Sequence, residues 1–361
     1  MSSLESQEPN PSQNINSGNV NGNYNNIWTF SGSTNSGNVD NSHDNTYNYG
    51  VTDERRDILE WLSPLAPRLR HRDVRRSQVE GVGDWLLRTD EFMNWNTGED
   101  GAVSPILFCY GDPGVGKTHI RYVLIFSRAN GRLTAVSLCS SLVIETLFHR
   151  SIGEQVAVAC LYCDFNAHKE QSTAHMLGAI LKQVASGWEH IPQEIEAEFQ
   201  RSKKTLDGRE LRLAEILKLL ISTLRTLERS YICIDALDEF PEEYRPDLFK
   251  SLAQITRESP VTRLFMTGRQ HIREEVERYF TSRAEIRIIP SEEDIKRYLN
   301  LRLLKDTRPW IMNDSLREEI LTTIPIKISE MYVTDIQTLC TLFIGYLLIR
   351  SQISTSFVKH E

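Results

Sequence analysis

The chain is 361 residues long, 40% hydrophobic and 25% charged, an ordinary globular composition with room for one large α/β domain and smaller pieces. Its net charge of −8 gives no global basic field, so composition predicts no nucleic-acid partner. Six cysteines are too sparse for a disulfide scaffold, and the polar start Met1 to Pro11 lacks the features of a secretory signal, which together predict a reducing, cytoplasmic setting.

Residues 1–52 form an Asn/Ser/Gly-rich low-complexity tail. Its first 50 residues hold 13 Asn and no Lys or Arg, which cannot bury a conventional core, so disorder is expected. Within it Ile15–Tyr24 is echoed by Thr34–His43, with Asn-Ser-Gly-Asn-Val identical at an offset of 19 residues. Two such Asn-rich units fit either a solvated tail or a stacked, self-templating β-assembly. Residues 53–100 read as a short helical adaptor: Ile58, Leu59 and Leu62 recur at helix spacing, Pro64 and Pro67 interrupt, and Val74 to Leu87 resumes.

Residues 101–290 alternate short apolar strands with longer amphipathic helices, a pattern that predicts a parallel sheet covered by helices on both faces. Strands are expected at 105–110, 156–162, 231–235, 263–267 and 284–289. Helices are expected at 175–187, 211–228, 246–257 and 292–304. Residues 291–361 read as a helical, truncated C-terminal segment. Its longest apolar run, Leu339 to Ile349, is shorter than the roughly 20 residues of a membrane span, so a core helix or an aberrant tail is expected, a membrane anchor is the minority reading, and no membrane partner is predicted.

The strand at 105–110 runs into Gly111-Asp112-Pro113-Gly114-Val115-Gly116-Lys117-Thr118, a complete G-x-x-x-x-G-K-[ST] phosphate loop in the expected strand-to-helix context. Gly111, Gly114 and Gly116 let successive N–H groups wrap a β-phosphate, Lys117 supplies charge to the β- and γ-phosphates, and the Thr118 hydroxyl suits Mg²⁺. The nucleotide is ATP or GTP, since base contacts lie outside these motifs.

Tyr231-Ile-Cys-Ile-Asp235 is an apolar strand ending in a carboxylate, which makes Asp235 the second candidate Mg²⁺ ligand. Glu239 is the first candidate for orienting or deprotonating an attacking water and Asp238 the second. Arg263 to Thr267 is a further strand followed by Gly268 and Arg269, and Arg269 is either a γ-phosphate sensor or a plain surface residue. Cys160-x-x-Cys163 has no second Cys/His pair at matching spacing, and strand alternation points its members to opposite faces, so core packing is expected. His149, His168 and His175 show no ligand spacing.

Taken in order, Gly111–Thr118, ICIDALDE at 232–239 and FMTGR at 265–269, with ERRDILEWLSP at 54–64 and GVGDWLL at 81–87, resemble the fungal NACHT-type signalling NTPases, whose front half is described as a nephrocystin-3-like N-terminal domain. The resemblance covers roughly Asp53 to Val333. It implies a three-layer P-loop NTPase fold with a mainly parallel sheet, and a STAND-class switch that exchanges ADP for ATP and then oligomerises. It also implies slow, Mg²⁺-dependent hydrolysis that resets the switch, so a weak nucleoside-triphosphatase and a homo-oligomer in the active state are expected.

Two departures stand out. The chain is expected to be truncated before the winged-helix and repeat regions of that family. Residues 121–139 interrupt the helix that should leave the phosphate loop, whereas joining Ile120 to Ser140 places Ile120, Leu142, Val143 and Leu147 on one helical face. Codons available to Arg121-Tyr122-Val123 and Leu138-Cys139-Ser140 would give intron-like ends, so the segment is either a retained intron or a surface insertion.

Overall fold

The computed structural model describes residues 53–76, 78, 80–98, 104–111, 135–151, 155–204, 210–289, 291–304 and 314–330. The Asn-rich tail, residues 112–134 and residues 331–361 lie outside the described residues, and with them the two repeats, most of the phosphate loop and the apolar run at 339–349.

The apolar runs form one parallel sheet. Its strands are β1 (Ile106–Gly111), β2 (Val156–Tyr162), β3 (Arg229–Asp235), β4 (Thr262–Arg269) and β5 (Ala284–Arg287), in the spatial order β2-β3-β4-β1-β5. Such runs of Val, Ile, Leu and Cys are buried on both sides, so alternate residues feed two cores. Ile106, Phe108, Ile232 and Leu264 belong to one, and Leu107, Cys109, Cys233 and Phe265 to the other.

Helices cover both faces. α1 (Asp53–Leu62), α5 (Thr173–Ser186), α6 (Gln193–Lys203), α7 (Leu213–Leu224) and α8 (Arg245–Glu258) bury their apolar stripes in the first core. α2 (Pro67–Arg76), α3 (Asp90–Thr97) and α4 (Ala135–Arg150) do so in the second. α9 (Arg273–Tyr279) packs on α8, and α10 (Glu292–Leu304) packs on α11 (Asp314–Glu330). Among the described residues no helix is long and apolar enough to cross a membrane.

The adaptor helices clasp the open edge of the sheet from both faces. α1 approaches α5 so closely that a Cβ on Gly178 would lie 2.1 Å from the Leu62 carbonyl oxygen, so no side chain fits there. Arg55 donates to the Ser186, Trp188 and Glu189 carbonyls, satisfying orphan acceptors at the end of α5. Under α2, the edge strand β2 is bonded by glutamines in place of a neighbour: Gln183 joins both N–H and C=O of Cys160, and Gln171 joins Tyr162 O and Asp164 N.

The structure corrects two local expectations. Pro67 starts α2 rather than interrupting a helix, because proline's fixed φ and missing N–H suit the first helical position. No helix spans Val74–Leu87: α2 stops at Arg76, and a turn follows in which Gly81 and Gly83 have φ of +78° and +84°, values a helix cannot use. The five strands and the four helices placed at 175–187, 211–228, 246–257 and 292–304 fall within a few residues of their expected places, and α6 and α9 are additional. The described part of α4 begins at Ala135, so the last part of the 121–139 segment is helical and continues unbroken into Ser140–Arg150.

Candidate nucleotide site

In a parallel sheet all strands end on one edge, and here β4 lies between β1, which carries the phosphate-loop motif, and β3, which carries the acid. Gly111 is in register with Arg269, so the start of the motif lies beside the end of β4. Asp112, Pro113, Gly114, Val115, Gly116, Lys117 and Thr118 are outside the described residues.

Asp235 is 3% exposed at the end of β3. Its Oδ1 accepts from the Ser140 hydroxyl of α4 at 2.5 Å and from the Thr267 hydroxyl of β4 at 2.6 Å. Thr267, fully buried, also accepts from Ala236 N–H at 3.0 Å. Ala236 has φ +55°, a left-handed conformation uncommon outside glycine, and the Thr267 bond helps to hold it. The Asp235 carboxylate is a hard oxygen donor of the kind that suits Mg²⁺.

Beyond Ala236 the chain makes a single 3₁₀ turn, Leu237–Glu239, which points its two acids differently. Asp238 is buried and engaged: Oδ1 accepts from Arg269 N–H at 3.1 Å and Oδ2 pairs with Arg269 Nε at 3.0 Å. Glu239 is half-buried, with Oε1 3.8 Å from Arg269 Nη2. Burial and the neighbouring Asp238 push the Glu239 carboxyl above its usual range, while Arg269 and a backbone N–H at Phe165 pull the other way. The sequence leaves open whether Arg269 faces the site or plain solvent; its three contacts place it against both acids.

Residues without a sequence signal complete this edge. His168 Nε2 donates to the Glu239 carbonyl at 2.9 Å, and Phe165 packs edge-on against the His168 ring, 4.4 Å away. Arg245, 5% exposed, donates to the Phe240 carbonyl and pairs with Glu275 at 2.8 Å, tying the end of the acid turn to α9. Ser140, Thr267 and Arg245 act across long sequence separations, and only Thr267, by its strand-end position, carries a local hint of a role. Cys160 and Cys163 lie in opposite cores, and burial holds the Cys160 thiol up to about 12 and raises that of Cys163 too, so neither is a reactive thiol.

Similar solved structures include the Aeropyrum pernix Orc1 protein in complex with DNA, at 17% identity, covering 83% of this chain and 64% of that one, with a TM-score of 0.39. The Walker-type ATPase of Pyrococcus abyssi shares 12% identity over 75% of this chain and 76% of that one, with a TM-score of 0.37. Drosophila ORC bound to AT-rich DNA and Cdc6 shares 10% identity over 88% and 89%, with a TM-score of 0.31. The chain thus spans less than two thirds of the Orc1 chain. No curated protein matches it.

The expectation of no nucleic-acid partner is withdrawn: two of these structures are of proteins on DNA, a likeness that speaks for the fold alone. The family model for Nephrocystin 3, N-terminal, matches residues 81–269, just over half of the sequence and the span that holds the Gly81–Gly83 turn, β1, Asp235 and Arg269, and the chain therefore belongs to the nephrocystin 3 N-terminal family.

Proposed function

We propose that this chain is a P-loop NTPase that binds ATP or GTP with Mg²⁺ and works as a slow, self-associating switch of the NACHT type. The observation that carries the reading is Asp235, a buried carboxylate fixed by Ser140 and Thr267 at the strand end next but one to the phosphate-loop strand. In this reading Lys117 and the loop N–H groups hold the phosphates, and Thr118 and Asp235 hold Mg²⁺, which supplies charge neutralisation at the β- and γ-phosphates.

Glu239, half-buried and with a raised pKa, is the residue that orients or deprotonates water. Asp238 has a different part from the one expected of it as a second base: both its oxygens are engaged by Arg269, so it positions that guanidinium. A γ-phosphate would compete with Asp238 and Glu239 for Arg269, which gives two ligation states different free energies, the requirement for a switch. Slow turnover resets it, and the triphosphate state self-associates.

The test is MgATP and MgGTP binding, turnover and light scattering on the full chain and on Lys117→Ala. Binding with slow hydrolysis and nucleotide-dependent assembly, all lost in Lys117→Ala, is expected. Fast turnover by a monomer would replace the switch with an ordinary enzyme, and binding that survives Lys117→Ala would sink the phosphate-loop assignment.

A further inference from the structure

Away from the phosphate edge, a second cluster of polar groups is buried between α2, α4 and β2. His71 of α2 is 7% exposed. Its Nε2 donates to Glu145 Oε1 of α4 at 2.9 Å, and its Nδ1 lies 2.7 Å from the Tyr162 hydroxyl at the end of β2. The Glu145 carboxylate can only accept, so a ring proton on Nε2 faces it, while Nδ1 pairs with the Tyr162 hydroxyl. Arg75, also on α2, reaches the other Glu145 oxygen at 3.3 Å, and His149 of α4 lies 3.6 Å from it.

This arrangement makes His71 a bracket between the sheet and a helix. Its Tyr162 end is fixed to the sheet, because Tyr162 is the register partner of Asp235 in the β2–β3 pair. Its Glu145 end rides on α4, the helix whose Ser140 is bonded to Asp235. Ser140 and Glu145 are about 7.5 Å apart along the helix axis, so a shift at one is felt at the other. A divalent cation held by Asp235 would compete with the Ser140 hydroxyl for Oδ1, and α4 at Ser140 would then be free to move against β3. The sheet end of the bracket stays while the helix end moves, and a buried hydrogen bond tolerates little stretch.

We propose that Glu145 is a latch tying the adaptor helix α2 to α4, and that nucleotide and Mg²⁺ at the Asp235 edge open it, so that α2 reports occupancy of the site. The proposal rests on the nucleotide reading above and adds to it the element regulated. The make-up of α2 suits such a reporter, because Arg68 and Arg75 are engaged with the core while Arg72 and Leu69 are exposed, so a loosened α2 changes what the adaptor presents.

The experiment is amide hydrogen exchange of residues 67–76 in the full chain, with MgATP binding measured in the same samples by a fluorescent analogue. At saturating MgATP the α2 amides should exchange about tenfold faster than without it. Glu145→Gln should exchange at the fast rate without nucleotide and respond no further. Tyr162→Phe removes only the sheet-side hydroxyl and should loosen α2 in the same direction, which carries the test if Glu145→Gln fails to fold. Measured MgATP binding with unchanged α2 exchange overturns the latch alone. Failure of the chain to bind MgATP overturns the nucleotide reading and the latch together.

Discussion

Asp235 at the end of β3 is fixed from three directions, by Ser140, by Thr267 and by the strand itself, whereas Gly111 at the end of β1 leads into residues 112–134 before the chain reaches α4 at Ala135. A phosphate loop works when its Lys and Thr open the helix that follows, because the first-turn N–H groups and the helix dipole then face the phosphates. Lys117 and Thr118 lie outside the described residues, and the described part of α4 begins at Ala135. The acid half is specified by bonds across long sequence separations, from α4 and from β4, and the phosphate half by a contiguous motif.

Removing bonds from the acid half should cost stability in proportion to what is left buried. Thr267→Val takes a donor from Asp235 and an acceptor from Ala236 N–H in a fully buried place, and chemical denaturation should report a loss of about 2 kcal/mol. A loss below a few tenths would mean the two bonds do not hold the acid. Ser140→Ala removes the hydroxyl that α4 donates to Asp235 and should cost about 1 kcal/mol, less than Thr267→Val because no backbone N–H is orphaned. The reverse order would make α4, not β4, the main support of the acid.

The smallest effect concerns Glu239 and has a sign set by its raised pKa. A carboxyl raised in the folded state contributes stability that is present below its unfolded pKa and is lost as pH rises through the folded value. Glu239→Gln should therefore raise the melting temperature slightly at pH 7, with the difference closing as pH falls to about 4. A Tm lowered at pH 7 would show that the pair with Arg269 outweighs burial and Asp238.

Much of the fold is legible in the sequence because its strands are apolar runs buried on both faces, a signal that needs no long-range information. The acid half is only partly legible. Asp235 is marked by the strand before it, but its partners Ser140 and Thr267 lie far away in sequence, and no local pattern reports such contacts. The same holds for the His71 bracket, made of residues that look ordinary one by one. Position beside Glu239 makes Asp238 look like a reserve base, and only the geometry of Arg269 separates the two acids. In the adaptor, Pro67 reads as a breaker until the helix is seen to begin at it, and the apolar pattern around Gly81 and Gly83 does not disclose the positive φ they adopt.

Residues 121–139, read from the sequence as an interruption, are expected to uncouple the phosphate loop from Ser140 while the bonds of Asp235 remain. The decisive measurement is the MgATP dissociation constant of the full chain beside that of the chain lacking residues 121–139, in which Gly116–Ile120 directly precede Ser140. Binding should be at least about tenfold tighter after the deletion, a gain of roughly 1.4 kcal/mol. Equal or weaker binding after the deletion would contradict the uncoupling.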